Sequence, residues 1–361
     1  MMRSMSSGDA FSSARTLSGT WFGNFQVLRR IGLGGMGTVY LARHAGETGV
    51  ERLFAVKVMH DHLAENEHAL SMLHDEARLA AYLHHPNVVE IFNLERAHGR
   101  YHLVMEYVEG STLSQLLKRH PTHRPPSKIL AIILDACYGL HAVHNATNVV
   151  GERLQLVHRD VSTDNILVGI DGSARIADFG IAKATSRTTN TQPGVRKGKY
   201  AFMSPEVIMG EPIDHRADLF SLGVVMYNAL TGTRLFSGPS DPATLHNVIN
   251  EPVPRPSRVG LKPPAELDAV AMKALERDPN KRFQTAADMI RELQSAALAY
   301  GIHHSRLDVG LWVSDTFAEE LLARREAVRH IIGHTPSAES MLGLYDDPTD
   351  ICTPPTVESA R

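Results

Sequence analysis

Cysteine is nearly missing from this chain of 361 residues, which holds only Cys137 and Cys352, far apart and without C-x-x-C spacing. That excludes a disulfide framework and a thiolate zinc site, and a reducing, cytoplasmic location is expected. An excess of charge of one sign is missing too. Lysine and arginine together number 37 against 40 acidic residues, a formal net charge of -3. There is thus no global basic field, and neither nucleic acid nor an anionic membrane is expected as partner. No uncharged apolar run reaches the roughly 18 residues needed to cross a bilayer. The opening stretch, MMRSMSSGDAFSSARTLSG, lacks a hydrophobic signal core. The twenty histidines stand without Cys or carboxylate partners at ligand spacing, which favours surface or core-edge roles over metal binding.

What is present is a chain whose 43% hydrophobic content suffices for one large core or two lobes around a cleft. Residues 1–19, rich in Ser, Gly and Met, read as a disordered leader. From Trp21 the pattern is strand-like: FQVLRRIG, TVYLARH and RLFAVKVM are β-branched or aromatic-rich and separated by turns. A helical stretch, ALSMLHDEARLAAYL, follows, then the strand candidates VVEIFNLE and YHLVMEYV. From about Ser111 the character turns helical, through LSQLLKR, IILDACYGLHAVHNA, LFSLGVVMYNALTG and LDAVAMKALERD. The expected fold class is therefore α+β and bilobal: a small antiparallel β lobe with one long helix (20–108), a hinge near Glu106 to Gly110, and a larger, mostly α lobe (109–298). A helical extension (299–334), with an amphipathic helix around Ser314 to Ile332, and a disordered tail (335–361) complete the chain.

Five motifs carry chemistry. Gly32-x-Gly34-x-x-Gly37-x-Val39 lies between two strand candidates, where glycines let a hairpin rest its N–H groups on phosphates. A dinucleotide fold with this spacing would need a helix straight after the glycines, and TVYLA is a strand. Ala55-Val56-Lys57 puts a lysine on the third strand, with Glu76, mid-helix in His74-Asp75-Glu76-Ala77-Arg78, as the best candidate to pair with it. In His158-Arg159-Asp160-x-x-x-x-Asn165, Asp160 can accept a hydroxyl proton and Asn165 can reach a divalent metal. Asp178-Phe179-Gly180 supplies a hard carboxylate suited to Mg²⁺, and Ser204-Pro205-Glu206 closes the series. Any one triplet is common; five in fixed order are not.

On these motifs the chain resembles the eukaryotic-like (Hanks-type) protein kinases, and Gly34-Gly35-Met36-Gly37 resembles the bacterial serine/threonine branch. The resemblance spans about Phe25 to Leu298. It implies ATP with Mg²⁺ or Mn²⁺, phosphoryl transfer to Ser or Thr of protein substrates, and autophosphorylation through a transient homodimer. It assigns nucleotide contacts to Ile31, Gly32, Leu33, Gly34, Gly35, Met36, Gly37, Thr38 and Val39, and to Ala55 and Lys57. Met105, the hinge residues Glu106 to Val108, and Leu167 complete that set. Catalysis falls to Lys57, Glu76, Asp160, Asn165 and Asp178, the last two as metal ligands. The resemblance further implies that Glu206 pairs with Arg282 and that Asp218 braces the catalytic loop from a helix.

Two departures stand out. Where Ser/Thr-specific relatives carry Lys two residues after the catalytic Asp, this chain has Ser162; where they carry Thr before Pro-Glu, it has Lys199. The cation and the hydroxyl have changed places, so Lys199 is a further catalytic candidate, with a solvent-facing basic residue as the alternative. A pseudokinase scaffold and a small-molecule kinase are the competing readings; the long segment ending in Ser-Pro-Glu favours a protein substrate. Thr185, Ser186, Thr188, Thr189 and Thr191 are candidate phosphorylation positions. The tail, with Thr349, Thr353 and Thr356 among Asp and Pro, suits a phospho-binding partner.

Overall fold

The computed structural model describes residues 21–34, 37–45, 51–60, 82–97, 99–178, 199–303 and 305–332. The leader, Gly35 and Met36, the helix expected to carry Glu76, the segment from Phe179 to Gly198 with its threonines, and the tail lie outside the described residues.

Period-two alternation builds the small lobe. Strands β1 (Trp21–Phe22), β2 (Phe25–Leu33), β3 (Gly37–Ala45), β4 (Glu51–Met59), β5 (Ile91–Ala97) and β6 (Arg100–Glu106) form one antiparallel sheet. Its order is β1-β2-β3-β4-β6-β5. Along β4, Val56 and Val58 face a small core with Val27, Ala42 and Val104, while Ala55 faces the other way into the main core that spans both lobes. Lys57, two residues on, shares the face of Ala55. Strand β5 starts later than the sequence pattern suggests: Val88 makes only a lone parallel bridge, to Ile176.

The chain leaves β6 at Glu106 and re-enters regular structure at β7 (Gly110–Thr112), with Tyr107 to Glu109, in the expected hinge, between them. Helix α1 (Leu113–Arg119), capped by the Thr112 side chain, and helix α2 (Pro126–His144), opened by a proline in its first turn, follow. By length and hydropathy α2 is long and apolar enough to cross a membrane, yet 67% of that window is buried, so here it is the lobe's central core helix. The sequence pattern misses a second sheet, β7-β8-β9, in which β8 (Ile166–Gly169) and β9 (Ala174–Ile176) are too short to show a period. Helices α3 (Pro205–Met209), α4 (Arg216–Thr231), α5 (Asp241–Asn250), α6 (Asp268–Ala274) and α7 (Ala286–Tyr300) complete the large lobe. The expected boundary at Leu298 falls inside α7.

The extension needs a correction. Instead of one helix from Ser314 to Ile332, the chain forms α8 (Arg306–Thr316) and α9 (Ala318–Ile332). The break is Phe317, at φ -119° and ψ 27°, whose ring turns into the main core and is 5% exposed. Phe317 keeps both of its own backbone bonds, N–H to Val313 O and C=O from Leu321 N, so the ring reaches the core by a turn of the backbone between the two helices.

One buried ion pair joins the start of α3 to the end of the lobe. Arg282 donates through Nη1 and Nη2 to Glu206 Oε1 and Oε2, both at 2.7 Å, and both side chains are essentially fully buried. Removing one partner strands a desolvated charge, so Arg282→Ala is expected to cost about 3–5 kcal/mol in urea denaturation. The double variant Glu206→Leu/Arg282→Met should cost less than Arg282→Ala; a larger loss in the double would argue against the stranded charge as the cause.

Candidate active site

The loop from His158 to Asn165 is hung from α4 by a single carboxylate. Asp218, 1% exposed, accepts from the backbone N–H groups of His158 and Arg159, both at 2.8 Å, and from His144 Nε2 at 2.9 Å. Burial pushes its carboxyl pKa up, but these donors outweigh burial and hold it below the usual range, so it stays ionised. The two backbone bonds support Arg159 in the left-handed region, at φ 64°. His158 is completely buried, and burial lowers its pKa, leaving it neutral. Its Nδ1 accepts from Asp160 N at 3.3 Å, so its Nε2–H donates to Ala177 O at 3.2 Å, tying this loop to the residue before Asp178.

Asp160 is thereby pointed at its neighbours. Asn165 Nδ2 donates to Asp160 O at 2.8 Å and to Asp160 Oδ2 at 2.9 Å. Lys199 Nζ donates to the same Oδ2 at 2.6 Å. Across the cleft, Lys57 Nζ meets Asp178 Oδ1 at 2.6 Å. Desolvation acts upward on the Asp178 carboxyl, but the charge and hydrogen bond of Lys57, aided by Lys199, bring it below its ordinary value. Asp178 too is left-handed, at φ 57°. Lys57, Asp160, Asn165, Asp178 and Lys199 therefore meet around one point. Ser162, by contrast, is 2% exposed, and its Oγ has no hydrogen-bond partner among the described residues.

The donor set fits a hard cation. Asn165 spends its amide nitrogen on Asp160, which leaves its carbonyl oxygen, with the Asp178 carboxylate, as oxygen ligands of the type Mg²⁺ takes alongside phosphates. Among the described residues no cluster of three or more His, Cys, Asp or Glu forms a metal cage.

Apolar side chains flank the charges. Ala55 and Met105 are paired across β4 and β6, and Ile31, Val39, Val108 and Leu167 pack against the core to which those two belong. Thr38 pairs with Leu33 at the hairpin, and Gly34 N donates to Gly37 O at 2.8 Å. Glu106 N is bound to Glu90 O at 2.8 Å, and its carboxylate meets Arg175 Nε at 3.1 Å. The glycines divide in purpose. A Cβ on Gly32 would meet only ordinary contacts, whereas one on Gly37 would lie 2.4 Å from Val58 O in the next strand. Gly37 is thus demanded by the sheet itself, apart from any phosphate.

Glu76 lies outside the described residues, so the partner shown for Lys57 is Asp178. Sequence reasoning named His158 in its motif without giving it a role and missed the part of His144; the two act through Asp160 and Asp218, and the spacing of His141 and His144 on α2 was the only trace of the latter.

Residues 25–293 match the protein kinase domain family, and the chain belongs to it. That match ends inside α7, before α8 and α9. Among similar proteins is the tyrosine-protein kinase MasK of Myxococcus xanthus, 38% identical over 312 residues, 85% of this chain and 48% of that protein. The serine/threonine-protein kinase PknB of Mycolicibacterium smegmatis is 38% identical over 272 residues, 73% and 41% of the two chains. PrkC of Bacillus subtilis, also a serine/threonine-protein kinase, is 32% identical over 288 residues, 80% and 42%. The chain thus spans less than half the length of these relatives. The crystal structure of the Mycobacterium tuberculosis PknI kinase domain matches at a TM-score of 0.59 and 26% identity, over 78% of this chain and 98% of that one.

If Gly37 serves the sheet, Gly37→Ala should lower stability in the absence of any nucleotide, by about 1–3 kcal/mol. Thermal unfolding without ligand measures this; an unchanged midpoint would assign the glycine to ligand contact alone.

Proposed function

We propose that this chain is an ATP-dependent protein kinase that transfers the γ-phosphoryl group to Ser or Thr hydroxyls of protein substrates. The observation that carries the reading is the convergence of Lys57, Asp178, Asn165, Asp160 and Lys199 beside apolar side chains contributed by both lobes. In this reading the slot formed by Ile31, Val39, Ala55, Met105, Val108 and Leu167 takes the adenine ring, and Lys57 orients the α- and β-phosphates. Asn165 and Asp178 would hold Mg²⁺ or Mn²⁺, which when bound supplies charge neutralisation between the β- and γ-phosphates. Asp160, its carboxylate aimed by Asn165, accepts the proton of the attacking hydroxyl. Most of the work is positioning and electrostatics, since the transferring group needs little covalent help.

Lys199 has a defined part in this scheme. It reaches Asp160 from the segment leading to Pro205, while position 162, the next-but-one residue after Asp160, carries a buried hydroxyl that bonds to nothing among the described residues. The cation needed beside the spreading charge of the transferring phosphoryl group therefore arrives from the stretch before Pro205 instead of from the catalytic loop. Lys199→Thr should lower kcat by about 100- to 1,000-fold, the usual cost of one such donor. Adding Ser162→Lys should recover much of that loss, whereas Lys199→Arg should keep most activity by itself. Additive effects of the two changes, with no rescue by Arg, would remove Lys199 from the site.

A second reading, transfer to tyrosine, is favoured by the likeness to MasK, which carries that name. Incubating purified protein with radiolabelled ATP and analysing the phosphoamino acids separates the two. Phosphoserine or phosphothreonine is expected, with Lys57→Met and Asp160→Asn, each shown folded by circular dichroism, giving no label. Phosphotyrosine alone would overturn the Ser/Thr assignment, and label retained in either variant would overturn the site.

A further inference from the structure

The two helices beyond the family match are built into the large lobe by contacts that leave little room for another arrangement. A Cβ on Gly172, in the β8–β9 turn and at φ +77°, would lie 1.7 Å from Arg306 O, and one on Gly310 would lie 2.4 Å from Ile170 O. Backbone thus meets backbone at both places, and each needs glycine on one side of the contact. Arg306 Nη2 bonds Asp135 Oδ1 at 3.0 Å, and the second oxygen of that carboxylate holds Ala174 N at 2.9 Å. Burial keeps His120 neutral, and its Nε2 accepts from Trp312 Nε1 at 3.0 Å. With α8 fixed on β7, β8, α1 and α2, the turn at Phe317 sends α9 upward along the outside of the hinge.

There α9 grips the hinge by polar contacts. Arg324 Nη1 donates to Gly110 O at 2.8 Å, and Arg325 Nε meets Glu109 Oε1 at 2.6 Å. Burial raises the pKa of the Tyr107 hydroxyl against a hydrogen bond to Arg324, which puts a hinge side chain on the arginine that also holds Gly110 O. Arg119 at the end of α1 pairs with Glu320, holding the first turn of α9 down. The same helix packs against β2, the strand that carries Ile31 and Gly32 over the slot. Against the next two strands it is not packed solid. A cavity of about 260 Å³ is lined by Val328 of α9 together with Leu41 and Leu53 of those strands.

We propose that Arg324 and Arg325 are positioning residues for the nucleotide: through Gly110 and Glu109 they fix the course of the hinge backbone that edges the slot. This rests on the slot being the adenine site. A hinge left to sample several courses presents its peptide edge to the base only part of the time, and apparent affinity falls by that fraction. Holding it from outside pre-organises the binding edge without touching the ligand. The effect belongs to nucleotide binding, since neither arginine comes near Asp160 or Asp178 in these contacts.

The test uses the full chain and measures ATP and ADP dissociation constants by calorimetry, KM for ATP, kcat at saturating ATP and the melting temperature. Arg324→Ala should weaken nucleotide binding about tenfold, equivalent to about 1.4 kcal/mol, with kcat at saturation within about twofold of wild type. Arg324→Lys, which keeps a donor for one carbonyl, should restore most of the affinity. Arg325→Glu should weaken binding and Glu109→Arg/Arg325→Glu should recover it, while Arg329→Ala, one turn further on, should do neither. Unchanged affinity in Arg324→Ala and Arg325→Glu overturns the proposal, and a lowered melting temperature with unchanged affinity does so too, by reducing the helix to a structural prop. A wild-type chain that binds no nucleotide sinks the slot reading and this one with it, a result set apart by the wild-type titration alone.

Discussion

The site depends first on one buried negative charge. Asp218 is out of water, and an ion in that position persists only when donors surround it. Three do: two successive peptide N–H groups of the His158 loop and the imidazole of His144. Because two of these donors are backbone, satisfying the carboxylate fixes the path of the loop rather than a single side chain. That path turns Arg159 through left-handed space and sets Asp160 within reach of Asn165 and Lys199. His158 extends the chain of constraint by one hydrogen bond, to Ala177, so that Asp178 is delivered by the same support. Helix α4 thus positions two carboxylates on different strands of chain.

Those two carboxylates, with Lys57 and Lys199, make a charge arrangement that is balanced without ligand. Each acid has a lysine at 2.6 Å. On the proposed reading, phosphates would compete with the carboxylates for the lysines, and Asp178 so released would be free to hold a divalent cation. Lys57 and Asp178 would then couple the binding of nucleotide and metal. Lys199 has a different standing, since it comes from residues just beyond the segment that carries the candidate phosphorylation positions.

Much of this was legible in the sequence, for a definable reason. Chemistry at a phosphate site demands particular residue types at spacings imposed by a short loop, and His158-Arg159-Asp160 with Asn165 records such a demand directly. The strands showed because a sheet with one face on a core must alternate, and α1 showed to the residue, with Thr112 as its cap. Other features left no such trace. β8 and β9 are too short for a period, and α8 and α9 read as one helix because Phe317 is as compatible with a helix as with its end until the core it fills is known. Gly37 was read for the right type and only part of the reason, since its closest constraint, Val58 O, lies on a strand paired through the fold. The arginines of α9 carry no mark of their role in the sequence. Their partners, Gly110 O and Glu109, lie more than two hundred residues earlier in sequence.

Taken together, the slot is bounded by elements that answer to different parts of the chain. Its roof, β2 to β4, belongs to a small sheet with its own core around Val27, Val56 and Val104. Its floor, Leu167, belongs to the main core with α2 and α4. A hinge of a few residues is the covalent link between them, and a short extended link alone sets an angle weakly. Two ties add to it from the large lobe: Arg175 holds Glu106 from beneath, and α9 holds Glu109 and Gly110 from outside. Helix α9 is referred to both lobes: α8 beneath it is locked to the floor by backbone contacts at Gly172 and Gly310, while α9 itself packs against β2 of the roof. The angle between roof and floor is therefore held, beside the hinge, by one helix that touches both.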